Sequence, residues 1–155
     1  MRRQNNKKRI IEPDLKYNTV SVSKLINYVM KAGKKEIARK IVYTALDISG
    51  KELKKEPLEV FDLVMKNISP TTEVKSKRVG GANYQVPIDV RPDRKLVLAM
   101  RWLLSAARSK KGKPMAEKLA EEMISATKNE GIAIKKRNDM YRMAESNKAF
   151  ASFRR

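Results

Sequence analysis

A chain of 155 residues, 41% of them hydrophobic, has the length of one ordinary domain and can bury roughly 68–70% of its unfolded surface without a covalent staple. Its 36 Lys and Arg against 17 Asp and Glu leave a formal charge of +19, far beyond the magnitude of about 2–8 that solubility needs, and this favours a polyanionic partner. With no Cys and no His, disulfides, thiolate nucleophiles, imidazole bases and Cys/His zinc sites are excluded.

Residues 1–12 form a basic arm without periodicity, beginning MRRQNNKKR, and the helical domain is expected over 13–155. No apolar run approaches the ~18 residues of a membrane span, and the basic start leads into no signal-type hydrophobic region. A soluble, cytoplasmic or organelle-made protein without membrane partners is therefore expected.

The first helix is predicted to start at Ser21 or Ser23, with Val22, Leu25, Ile26 and Val29 on one buried face and Gly33 as a left-handed cap. A second helix repeats Ile37, Ile41, Ala45 and Ile48 on one side and closes at Ser49-Gly50. Pro57 suits the first position of a third helix, with Leu58, Phe61, Val64, Met65 and Ile68 inward and Ser69-Pro70 as the stop.

From 73 to 91 the pattern changes to a β-hairpin carrying Lys75, Lys77 and Arg78, with Tyr84, Val86, Ile88 and Val90 alternating along its second arm. A two-residue Gly80-Gly81 turn would place Lys75 and Lys77 opposite that apolar row. A three-residue loop through Ala82 would instead set Val74 opposite Ile88 and Ser76 opposite Val86, and it is preferred because it leaves one face apolar. An isolated hairpin is marginal in water, so external support from a partner is expected. Pro87 lacks a ladder donor and fits an open edge.

Pro92 begins a fourth helix carrying Leu96, Met100, Leu103 and Ala107, with Trp102 beside that row. After the break SKKGKP, Pro114 opens a fifth helix through Met115, Leu119, Met123 and Ile124 to Thr127. Past Gly131 a sixth begins with Lys135, Lys136 and Arg137 and carries a thin seam of Met140, Met143 and Ala144. The fold expected is mainly α, a six-helix single domain with a protruding basic hairpin between helices three and four. No internal repeat supports a solenoid.

The cations cluster at the arm, the Gly33-Lys34-Lys35 turn, the hairpin, the foot from Arg91 to Lys95, the loop from Ser109 to Lys113 and the start of the last helix. Turns and helix starts carry unpaired N–H groups that can join Lys and Arg in gripping phosphate. Any one cluster is as readily a solvated surface; six at turns, tips and termini point to nucleic acid. Arg39 and Arg101, placed mid-helix, read as packing or ion-pairing residues, and Tyr28, Tyr43 and Trp102 as core. Tyr84 suits either base stacking or closure of the hairpin's apolar face. Carboxylates and lysines form no catalytic constellation, Gly80-Gly81 lacks the phosphate-loop spacing, and no enzyme activity, metal or cofactor is expected. An architectural DNA-binding protein and a protein-only interaction module are the competing classes.

The runs VMKAGKKEIARKIVYTA, PTTEVKSKRVGGANYQVPIDVRPDRK, LAMRWLLSAAR and AIKKRNDMYRMAESNKAFA together resemble the bacterial-type small ribosomal subunit protein seven family over essentially the whole chain. The resemblance implies a primary binder of small-subunit ribosomal RNA that nucleates assembly of the head through the 3′ major domain. It implies RNA contacts for Arg2, Arg3, Lys7, Lys8, Arg9, Lys34, Lys35, Lys75, Lys77, Arg78, Arg91, Arg94, Lys95, Lys110, Lys111, Lys113 and Met115, to which the last-helix cluster adds Lys135 and Lys136. The ribbon tip (Gly80, Gly81, Asn83, Tyr84) and part of the last helix (Arg142, Met143) match the side facing the exit-site transfer RNA. Neighbouring small-subunit proteins of the head and platform, families nine and eleven, are the implied protein partners.

Overall fold

The computed structural model of the chain describes residues 10–154, so the expected arm residues Arg2, Arg3, Lys7, Lys8 and Arg9 lie outside the described residues. The elements run α1 (Val20–Val29), α2 (Lys35–Leu53), α3 (Pro57–Ile68), β1 (Thr72–Val79), β2 (Ala82–Asp89), α4 (Pro92–Ser109), α5 (Met115–Thr127), α6 (Ile132–Ser146) and a C-terminal 3-10 helix (Lys148–Arg154). The fold is the expected one, six α-helices with a two-stranded hairpin between the third and fourth, and the 3-10 helix is an addition. Among the described residues no helix is long and apolar enough to cross a membrane.

Helix α5 packs against α2, α3, α4 and α6. Its Leu119, Ala120, Met123 and Ala126 are buried, as are Val22, Leu25, Ile26 and Val29 of α1, the four positions the sequence spacing selects. Small residues on α2 (Ala38, Ala45) and α4 (Ala99, Ala106, Ala107) are buried in the same core, where the absence of bulk lets helices approach closely. Tyr28, Tyr43 and Trp102 are half-buried against it.

Two helix ends differ from expectation. Helix α1 ends at Val29, so Gly33, at φ +73°, belongs to the turn that follows rather than to the cap. Helix α2 runs through Ser49-Gly50 to Leu53 and stops at Lys54, which is left-handed at φ +52°. Its inward face is Ala38, Val42, Ala45, Leu46 and Ser49, while Ile37 is 55% exposed. Gly50 is retained inside the helix because the chain returns across it: a Cβ there would lie 3.0 Å from the Lys55 carbonyl oxygen and 3.1 Å from Pro57 Cγ.

Two polar crosslinks tie α5 to its neighbours. Asn67 of α3 donates through Nδ2 to the carbonyls of Ala126 (2.9 Å) and Thr127 (3.3 Å) in the last turn of α5, the first of which also accepts the Asn129 N–H. Buried Glu122 accepts the Ala133 N–H at the start of α6 (2.9 Å), and its other oxygen meets Lys110 Nζ at 3.1 Å. Gly131, at φ +96°, makes room for it, since a Cβ would stand 2.8 Å from Glu122 Oε1.

Two substitutions test this packing by chemical denaturation. Leu103→Ala, at a fully buried position, lowers stability by about 2–5 kcal/mol. Gly50→Ala also destabilises, although alanine in a helix interior ordinarily gains roughly 0.5–1 kcal/mol over glycine.

Candidate nucleic-acid interface

The hairpin turns on two residues. Gly80 and Gly81 have φ of +56° and +88°, the pair of positive values that a two-residue turn with the strands' own twist requires. Val79 therefore faces Ala82, Lys77 faces Tyr84, Lys75 faces Val86 and Glu73 faces Ile88. The preferred three-residue loop is not formed: turn chemistry prevails over the matching of apolar faces.

One consequence is that Lys75 and Lys77 lie on the face turned toward the body. That face packs against α6 and the C-terminal 3-10 helix, so the hairpin has support within the chain. Lys77 is half-buried and donates from Nζ to the Phe153 carbonyl at 2.8 Å. Tyr84 lies 5.1 Å from Phe150 and 5.2 Å from Phe153, ring centre to ring centre, and so closes the hairpin's apolar face. The opposite face presents Ser76, Arg78, Asn83 and Gln85 to solvent.

At the hairpin's base, Glu73 is buried and neutralised by two of the expected RNA ligands. Arg94 donates from Nε to its Oε2 at 3.2 Å, and Lys75 Nζ stands 3.7 Å from Oε1. Their neighbour Arg91 is exposed and Lys95 half-buried. Tyr141 of α6 accepts the Thr71 N–H through its hydroxyl at 3.0 Å, which fixes the base from the other side.

The loop between α4 and α5 shows the same division of labour. Lys110 is half-buried against Glu122 and also reaches Glu121 at 3.7 Å, and Lys113 hydrogen-bonds Glu121. The hydrogen bond from Lys113 holds the Glu121 carboxyl below its ordinary range. Lys111, between them, is exposed. On α6 Lys135 is exposed, whereas Lys136 donates to Ser105 Oγ.

Lys34 and Met115, distant in sequence, line one cleft of about 270 Å³ with Val29, Ile37, Ile41, Lys31 and Arg108. Its floor is apolar and its rim cationic, which explains the exposure of Ile37. Lys31 and Arg108 were not among the expected site residues; each falls just outside a basic run, and only the fold brings them together. Arg39 pairs with Glu36 at 2.9 Å, as its mid-helix position suggests, while Arg101 is exposed. Of the expected transfer-RNA side, Gly80, Gly81 and Asn83 are exposed at the tip, and Arg142 and Met143 on α6 are exposed as well. Among the described residues no cluster of His, Cys, Asp or Glu could hold a metal ion.

A polar strap anchors the segment that follows the arm. Asp14 accepts the Tyr43 hydroxyl at 2.8 Å and the N–H groups of Lys16 and Tyr17, while Asp47 accepts Lys16 Nζ (2.8 Å) and the Tyr17 hydroxyl (3.0 Å). Burial pushes the Asp47 carboxyl up, but the hydrogen bonds from Lys16 and Tyr17 outweigh it and leave the group below its ordinary value. The Asp47 hydrogen bond raises Lys16, and burial raises the Tyr17 and Tyr43 hydroxyls.

Comparison with known proteins adds to this geometry. The family model for ribosomal protein S7p/S5e matches residues 1–148. The small ribosomal subunit protein uS7 of Thermotoga maritima is 56% identical over 154 residues, covering 99% of each chain. Its counterpart in Chloroflexus aurantiacus is 53% identical over 154 residues, 99% of this chain and 98% of the other. That of Dechloromonas aromatica is 54% identical over 153 residues, again 99% and 98%.

The strap carries a pH signature. A depressed Asp47 contributes stability that is present at neutral pH and lost as pH falls through its folded value; raised Lys16, Tyr17 and Tyr43 make stability fall in alkali, as pH rises past their unfolded values. Thermal melts of Asp47→Asn between about pH 5 and pH 2 are expected to depend less steeply on pH than those of the parent.

Proposed function

The chain belongs to the ribosomal protein S7p/S5e family, and on that premise we propose that it binds the 3′ major domain of small-subunit ribosomal RNA as a primary protein and nucleates assembly of the head. Its role is structural and non-enzymatic, as a constituent of the small ribosomal subunit in translation. The subunit is that of a bacterial cytoplasm or of an organelle.

The observation that carries the RNA reading is the set of exposed cations outside the internal ion pairs. Lys34 and Lys35 stand at one turn, Arg78 near the tip of β1, Arg91 and Lys135 at helix starts and Lys111 in the α4–α5 loop, and none forms an ion pair among the described residues. An A-form helix hides its major-groove edges, so positive groups spread over a rigid body read the arrangement of several RNA helices through phosphates and 2′-hydroxyls. Fixing the angle between those helices is the assembly step. The cleft at Lys31, Lys34, Arg108 and Met115 suits a base unstacked from its helix, with the rim on the flanking phosphates.

Lys75, Lys77, Arg94, Lys110 and Lys113 act one step back, holding the hairpin and the α4–α5 loop in place. The hairpin tip and the neighbouring exposed side of α6, with Arg142 and Met143, form the side we assign to exit-site transfer RNA and to small-subunit protein families nine and eleven. Residues 1–12 extend the RNA contact as an arm, and the domain at 13–155 carries the rest.

Chemical footprinting of the purified protein on 3′-domain RNA tests the reading. Protections on several helices meeting at a junction are expected; protection of a single isolated stem, or tighter binding to generic duplex DNA, overturns it. Within the same assay Arg78→Ala is expected to lower the slope of log affinity against log salt by about one unit. Its unfolding temperature stays at the parent value, because the side chain is exposed.

A further inference from the structure

We infer that the C-terminal 3-10 helix sets the angle of the hairpin, making Phe150, Phe153 and Tyr84 positioning residues for RNA binding; the RNA part of this inference rests on the function proposed above. The hairpin cannot hold itself. Two strands in isolation are marginal, and of the body-facing residues from Tyr84 to Ile88 only Val86 is fully buried. Along its outer half the support comes from the tail.

The tail is folded into that position by a specific turn. Helix α6 is capped by Asn147, whose Nδ2 donates to the Met143 carbonyl at 2.8 Å, and the Phe150 N–H then bonds the Asn147 carbonyl at 3.0 Å. The chain thereby doubles back onto β2. Phe150 and Phe153 lie nearly parallel, 12° apart with centres 6.2 Å apart, and both tilt against Tyr84. Beside them the Phe153 carbonyl accepts Lys77 Nζ, giving a partner to a charge that the turn at Gly80-Gly81 places on the inner face.

The hairpin is long for its base. A strand of eight residues spans about 26 Å, so a swing of only about 10° at the base carries the tip about 4–5 Å, more than the length of a hydrogen bond. Arg78 and Asn83 near the tip therefore reach a fixed ligand only if the angle is held. Neither phenylalanine brings charge to RNA; each acts through the strand beneath it.

The experiment compares full-length Phe150→Ala/Phe153→Ala, Phe150→Leu/Phe153→Leu and Lys77→Met with the parent. Hydrogen exchange of the free proteins and affinity for a 3′-domain RNA transcript across a salt series are measured. In the alanine pair the amides of 72–89 are expected to lose protection while α2 to α5 keep theirs. If the correctly angled fraction falls to about a tenth, affinity falls about tenfold. The salt slope stays unchanged, because the same phosphates are met once the complex forms. The leucine pair, which keeps apolar bulk, recovers most of the affinity, and Lys77→Met loosens the hairpin to a smaller degree.

Unchanged hairpin protection in both the alanine pair and Lys77→Met overturns the inference. So does a loosened hairpin with undiminished affinity, or a leucine pair no better than alanine, which would make the rings themselves the RNA contact. Failure of the parent to bind the transcript would instead remove the RNA reading, while hydrogen exchange would still decide whether the tail braces the hairpin.

Discussion

Two consecutive positive φ angles, at Gly80 and Gly81, govern the functional surface of this protein. Side chains alternate along a strand, so shifting the register by one residue would transfer every β1 side chain to the other face relative to β2. With the two-residue turn, Arg78 faces outward, while Lys75 and Lys77 face the body. What the body offers on that side then follows from need. Arg94 of α4 meets Glu73, which also pairs with Lys75 on its own strand, the Phe153 carbonyl meets Lys77, and Tyr84 finds two phenylalanine rings.

The same economy of charge runs through the rest of the molecule. Buried Glu73 and Glu122 each recruit cations from basic runs, Arg94 and Lys75 in one case and Lys110 in the other. A carboxylate taken out of water needs such a partner, and the pair fixes the backbone around it. A basic run is thus a mixture: Lys110 is tied inward to Glu122, Lys113 pairs with Glu121 at the surface, and Lys111 between them is exposed without an ion pair among the described residues. The +19 of the whole chain overstates the charge at any one surface, yet the part that is exposed is held on a scaffold stiffened by the part that is not.

Much of the architecture was legible because helix periodicity is a local signal. All four chosen positions of α1 are buried, and so are Phe61, Val64, Met65 and Ile68 of α3. Helix α2 was harder because its buried face mixes Ala38, Ala45, Ser49 and Gly50 with Val42 and Leu46, while Ile37 and Ile41 line a cleft, so hydrophobicity alone pointed about one residue away from the true inward direction. The hairpin register was not legible because two sound rules conflicted, and the decisive partners, Phe150 and Phe153, lie some seventy residues further on. For the same reason the inward roles of Lys110 and Arg94, and the meeting of Lys31 and Arg108, follow only from the three-dimensional fold.

The strap from Asp14 to Thr19 has a consequence for how positive charge is tolerated. Its Lys16 is matched by Asp47 at 2.8 Å, and Glu12 and Asp14 at its leading end line one pocket with Lys35 and Arg39. Carboxylates thus stand beside the cations at the start of α2 and ease the repulsion those cations exert on one another. The chain carries some of its own counter-ions, and they sit where its positive groups crowd together.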